Sequence, residues 1–272
     1  MVVSVLVVVF IATGVIDIIG AAVVRKEAQR QAALLYRQPV TRTGSPPDYE
    51  KYPELLRAYF RAGRFDTQPC YGNVLRMRQK GAVRFREGQG WKPFEAKCFI
   101  ALQSDPALVW YADVTVGLLR SRSLLHILSG EKARWVEKMW GFNIRPYFTD
   151  CSNLRAYLLI EYYATAVWHP ALWLTPSLDW EIAGKSTLVA RTIDPAFPLA
   201  FTLQFGQDAL LESMIAKLGN STWTTTYSGY QEVHGVMVPL VWRVEIFTRD
   251  HKWVYLEGKV TDMVSDGVFS WW

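Results

Sequence analysis

The chain is poor in the residues on which most enzyme chemistry is built. Its 272 residues include only three cysteines, Cys70, Cys98 and Cys151, and four histidines, His126, His169, His234 and His251. Cysteines so few and so widely spaced make neither a disulfide framework nor a four-ligand zinc site, so free and mostly buried thiols are expected. No two histidines have metal-ligand spacing; structural roles are expected for all of them, and no metal. A G-x-S-x-G elbow is lacking around Ser228 and every other serine, which removes the local signature of a serine hydrolase. The run AGKST (183–187) imitates the end of a phosphate loop, but the leading glycine of such a loop is replaced by Asp179, followed by Trp180 and Glu181. Bulk and negative charge there repel a nucleotide, and the segment reads as a hairpin turn. Internal repeats and low-complexity tracts are also missing. No catalytic residue and no cofactor are expected.

What the chain has in abundance is apolar and aromatic surface. Half of it is hydrophobic, and it carries 12 Trp, 13 Tyr and 13 Phe. That is enough for one well-buried domain with a small appendage, and it excludes disordered and disulfide-stapled classes. Trp and Tyr join large apolar area to one polar tip, so an excess of them suits interfaces and membrane boundaries.

Residues 1–24, MVVSVLVVVFIATGVIDIIGAAVV, have only Ser4, Thr13 and Asp17 as clearly polar positions. As a helix they would reach roughly 36 Å, enough to cross a bilayer core, and they are expected to form a single transmembrane helix. The lack of a basic region ahead of the apolar run argues against a cleaved secretory signal. Arg25, Lys26, Arg30 and Arg37 follow with only Glu27 opposing them. By the positive-inside rule the N-terminus lies outside and the main domain on the cytoplasmic, matrix or stromal side. Asp17 would then sit within hydrocarbon, either meeting a polar or basic group on another transmembrane helix or staying neutral. Charge is uneven along the chain: residues 1–97 hold 16 Lys/Arg against 8 Asp/Glu, and residues 98–272 hold 14 against 17. A basic excess beside a membrane segment points to anionic lipid headgroups or an acidic partner subunit, not to nucleic acid.

From residue 25 the helical pattern continues as a juxtamembrane stalk, and prolines at 39, 46, 47 and 53 mark a linker as far as residue 53. A short amphipathic helix is predicted at 54–62. Beyond Gly72 the period becomes two, most clearly in FEAKCFIAL, where Phe94, Ala96, Cys98, Ile100 and Leu102 alternate with other residues. Similar strands are predicted near 74–86, 107–116, 118–127, 131–140, 185–193, 198–206, 209–216, 223–231, 236–249 and 252–264. Short connections favour an antiparallel meander. Residues 150–174 interrupt it with a helix that opens on the cap candidates Asp150 and Ser152, is apolar on most sides, and therefore needs broad cover. The fold class is α+β: residues 54–272 form a strongly curved antiparallel sheet, a half-barrel, wrapped around one central helix, after a single N-terminal transmembrane helix.

The series QKGAVRF (79–85), W-x-x-F-x-A-K (91–97), DPALVWYADV (105–114), L-x-x-Y-Y-A-T-A-V-W-H-P-A-L-W (159–173), L-D-W-E (178–181), Y-S-G-Y-Q-E-V-H-G-V-M-V-P (227–239) and W-V-Y-L-E-G-K-V (253–260) resembles a domain family of unknown function, often found in bacterial membrane-anchored proteins. The resemblance runs from about residue 54 to 265. It implies a fold similar to the LolA/LolB lipoprotein carriers, a curved sheet enclosing an apolar groove, and it carries no established activity. The chain departs from the family pattern at Thr165 and at Ala183-Gly184, where members tend to be acidic.

Glu161, within LLIEYY, is the candidate polar residue of such a groove, to hold a polar ligand or to hydrogen-bond a neighbouring Tyr or Arg. Trp271 and Trp272, together with Asp17, Arg25, Lys26 and Arg30, are expected to meet a partner subunit or the lipid interface. The function these features point to is a non-catalytic, membrane-anchored accessory subunit of a larger complex. The alternative is a carrier of a lipid, pigment or other apolar ligand between sheet and helix.

Overall fold

The protein is described by a computed structural model covering residues 2–37, 49–67, 74–103, 105–117, 121–139, 142–144, 153–195, 197–266 and 269–271, with backbone only for 2–11, 13, 121 and 266. Cys70, Asp150, Cys151, Ser152, Trp272 and most of the proline-rich linker lie outside the described residues.

Among the described residues, thirteen antiparallel strands form one sheet in the order β6-β5-β4-β3-β2-β1-β13-β12-β11-β10-β9-β8-β7. The first meander is β1 (Val74–Val83), β2 (Lys92–Ala101), β3 (Ala107–Thr115), β4 (Ser121–Ser129), β5 (Lys132–Met139) and β6 (Phe142–Asn143). The second is β7 (Leu178–Gly184), β8 (Thr187–Thr192), β9 (Ala200–Phe205), β10 (Leu211–Leu218), β11 (Ser221–Val233), β12 (Val236–Phe247) and β13 (Lys252–Asp266). The two meanders join where β1 pairs with β13. Register shifts at Arg78/Gln79 and Val244/Glu245 add local twist, and the sheet curls. The AGKST segment is the β7–β8 hairpin turn, as its sequence indicated.

Period-two alternation sorts the side chains. Phe94, Ala96, Cys98 and Ile100 point to the concave core, while Phe99 and Ala101 point to the convex one. Helix α2 (Glu54–Ala62) places Leu56, Tyr59 and Phe60 in the concave core. The central helix is shorter than predicted: α3 covers Leu154–Ala164, and 3-10 turns follow at Thr165–Val167 and Pro170–Leu174. Trp168, whose indole N–H donates to Pro239 O at 2.7 Å, and Tyr227, whose hydroxyl donates to Ala164 O at 2.7 Å, fix this segment to the second meander.

One expectation about the N-terminus, the free stalk, needs correction. Helix α1 runs from Val2 to Leu35, but among the described residues no helix is long and apolar enough to cross a membrane. Nor do residues 25–35 form a free stalk. Val24, Ala28, Ala32 and Leu35, spaced by three or four residues, are buried against Phe99, Val109, Leu125 and Ile127 on the convex face. The small alanines let the helix approach the sheet closely, a narrow stripe that composition alone reads as solvated.

Candidate functional site

α3 crosses the hollow of the sheet, and between them lies an apolar cavity of about 80 Å³ walled by Trp110, Tyr157, Ile160, Trp168, Trp223 and Trp242. A few polar groups converge on it. His126, on β4, lies at a concave-facing position between Leu124 and Leu128 and is 2% exposed. Its Nδ1 is 2.8 Å from Glu161 Oε2 on α3. The ring is held between Trp110 (centroids 4.9 Å apart) and Trp135 (4.0 Å). Where Glu161 is a carboxylate it can only accept, so the proton sits on Nδ1 and Nε2 is left without that partner. That nitrogen, an acceptor in neutral imidazole and a donor in imidazolium, has no hydrogen-bond partner among the described residues.

Of the other polar groups in and around the lining, several are met, whereas the buried Trp242 indole N–H has no hydrogen-bond partner among the described residues. The Trp110 indole donates to Gln79 Oε1 at 2.9 Å. Tyr157 and Tyr255 are hydrogen-bonded to each other; burial pushes both phenols up, with charge on Glu161 adding to the effect. Arg122 and Glu137 form an ion pair on the same face, with the guanidinium 3.6 Å over the Phe85 ring. Cys98, a free and buried thiol, is pushed well above its ordinary value by burial and by the charge on Glu161, so it stays protonated and unreactive.

Glu161 lines this cavity, and it pairs with His126, where a Tyr or Arg was expected. Among the described residues, no group of three or more metal-ligating side chains comes together. The other candidate positions lie on the convex side. Asp17 is buried at 7% exposure, on the same stripe of α1 as Val24. Arg25 is bound to Asp113 at 3.1 Å, Arg30 pairs with Glu27 at 2.9 Å, and Lys26 is exposed. Trp271 stacks on Phe99 of its own domain, with ring centroids 5.5 Å apart and planes at 10°. This corrects the expectation that it meets a partner or lipid: the convex face beside α1 is apolar enough to bind the indole itself. Sequence reading missed His126. A signal existed, since a polar residue at a core-facing position in the alternation of SRSLLHILS calls for a buried partner.

Comparison with known proteins follows from this geometry. Residues 42–258 match the protein family of unknown function DUF6544. None of the curated proteins matches. Among solved structures, the chain is similar to a DUF1329 family protein from Desulfovibrio piger (TM-score 0.41, 10% identity, 79% of this chain and 93% of that one). It is also similar to a LolA superfamily protein from Nitrosomonas europaea (TM-score 0.40, 9% identity, 78% and 92%). A third is a domain from Vibrio parahaemolyticus described as an outer membrane lipoprotein-sorting protein (TM-score 0.44, 9% identity, 82% and 95%).

Proposed function

This chain belongs to DUF6544, a family of unknown function, and from that premise we propose that it binds an apolar molecule with one hydrogen-bonding end in the cavity between sheet and α3. The observation that carries the reading is the Glu161–His126 pair, buried polar groups that line a cavity otherwise walled by indoles and aliphatic side chains, with His126 Nε2 unmet among the described residues. A buried polar atom without a partner costs about 1–3 kcal/mol, so a ligand's polar end is favoured there while its body covers Trp110, Trp168 and Trp242. The present space is smaller than the roughly 150 Å³ that holds benzene in an engineered cavity, so binding requires the aromatic walls or α3 to move apart.

The test is titration of the full-length protein with N-phenyl-1-naphthylamine, a neutral apolar fluorophore, with native mass spectrometry of the detergent-extracted chain. Saturable fluorescence enhancement that weakens in His126→Leu, or a co-purifying apolar adduct, supports the reading. No enhancement and a bare polypeptide mass would sink it.

A second reading, attachment of the domain to a lipid surface through α1, is supported by Ile18 and Ile19, 70% and 58% exposed, with Val15, Ile16 and Val23 beside them. Recovery of the full-length protein in the membrane fraction after carbonate washing is the expected result. No feature of the described residues favours an accessory-subunit role over ligand binding.

A further inference from the structure

The convex face carries an opening that the apolar cavity does not use. Between α1 and the C-terminal segment lies a cleft of about 540 Å³, whose lining includes residues of β13, β1, β2 and β3. Its charged lining is Arg25, Arg78, Lys80 and Lys97 against Glu95 and Asp113. Both carboxylates are engaged. Lys80 Nζ is 2.7 Å from Glu95. Asp113 takes Arg25 at 3.1 Å and accepts from the hydroxyls of Tyr111 at 2.6 Å and Ser123 at 3.1 Å.

Among the described residues, no carboxylate lies within ion-pair distance of Lys97. Its Nζ sits 4.5 Å from the centre of the Trp271 ring. Burial pushes its pKa down, and the positive charges of Arg78 and Arg25 push the same way against a smaller opposing pull from Asp113. A partly desolvated ammonium among like charges, with an aromatic face on one side, gains most from an anion entering from the open side.

We propose that this cleft binds an oxyanion of the phosphate type, with Lys97 as its principal contact, Arg78 and Arg25 lending charge, and the Trp271 ring walling the apolar part of the ligand next to that charge. Guanidinium forks and an ammonium together suit a tetrahedral oxyanion better than a single carboxylate. The group can be carried by a soluble molecule or by a lipid headgroup, since the exposed apolar residues of α1 lie close in sequence to Arg25.

The experiment follows thermal unfolding of the full-length chain in nonionic detergent during titration with inorganic phosphate, with chloride at matched ionic strength as control. A saturable rise in Tm beyond the chloride control is expected, with an apparent affinity at least tenfold weaker in Lys97→Gln and unchanged in Lys217→Gln on β10. Without phosphate, Lys97→Gln is expected to melt no lower than the native chain, because it removes a repelled charge. Lys97→Arg should keep the response. Absence of a saturable response, an equal response in Lys97→Gln, or unfolding of Lys97→Gln without phosphate would overturn the site. The last result would mean that the ammonium serves the Trp271 contact alone. Flotation with phosphatidylglycerol against phosphatidylcholine vesicles separates the sources. A Lys97-dependent preference for phosphatidylglycerol assigns a headgroup; a phosphate response without it assigns a soluble anion, and either supports the site.

Discussion

Gly81 of β1 lies directly opposite Gly258 of β13, at the junction of the two meanders. A Cβ on Gly81 would fall 2.1 Å from Glu257 O, and one on Gly258 would fall 3.0 Å from Lys80 O and 3.1 Å from the Trp242 ring. The junction that joins the two meanders and the indole that walls the cavity thus depend on the same pair of missing side chains.

Gly81→Ala is expected to lower stability by about 1–3 kcal/mol or more, because the obstacle is backbone and cannot rotate away. Urea denaturation measures it. Gly258→Ala should cost less and shift the tryptophan emission, since its nearest side-chain obstacle is Trp242.

Glu161→Ala should strip His126 Nδ1 of its acceptor at a cost of about 1–3 kcal/mol and weaken N-phenyl-1-naphthylamine binding. Glu161→Gln, which can still accept through its amide oxygen, should recover most of the stability. Calorimetric melting with fluorophore titration tests both; equal stability in all three proteins would exclude the pair as a structural tie.

Glu27 joins α1 to the sheet. It accepts from Arg30 at 2.9 Å and Gln31 at 3.0 Å, and Arg134 of β5 approaches at 3.1 Å. The Arg30 hydrogen bond, then that of Gln31, hold its pKa down at about 2, below the ordinary 4.5. The folded value is depressed, so its contribution is full above pH 4.5 and is lost as pH falls toward 2. Glu27→Gln should flatten that part of the stability-against-pH curve, measured by urea unfolding at each pH. An unchanged slope would remove Glu27 as its source.

Trp271→Ala should uncover Phe99 and loosen the C-terminal segment, with a loss of about 0.5–1.5 kcal/mol from the ring pair in addition to the area exposed. Faster amide exchange in β2 and β3, read by hydrogen–deuterium mass spectrometry, is the expected sign. A change confined to residues 269–271 would show that the indole covers nothing.

The strand content was legible in the sequence because alternation is a local property: Phe94, Ala96, Cys98 and Ile100 declare a buried face without reference to any other strand. Short loops then imposed antiparallel neighbours, and the apolar girth of α3 required a sheet curved around it. Glu161 could be singled out because a carboxylate in LLIEYY is conspicuous in any fold. Tertiary structure alone decided that Glu161 meets His126, that β1 pairs with β13, that alanines at 28 and 32 seat α1 on the convex face, and that Lys97 ends beside Trp271 with no carboxylate partner among the described residues. Local patterns fix which side of an element turns inward. The curvature of the sheet fixes which inward side chains from distant parts of the chain come within a few ångströms of one another, and short-range sequence does not encode that distance.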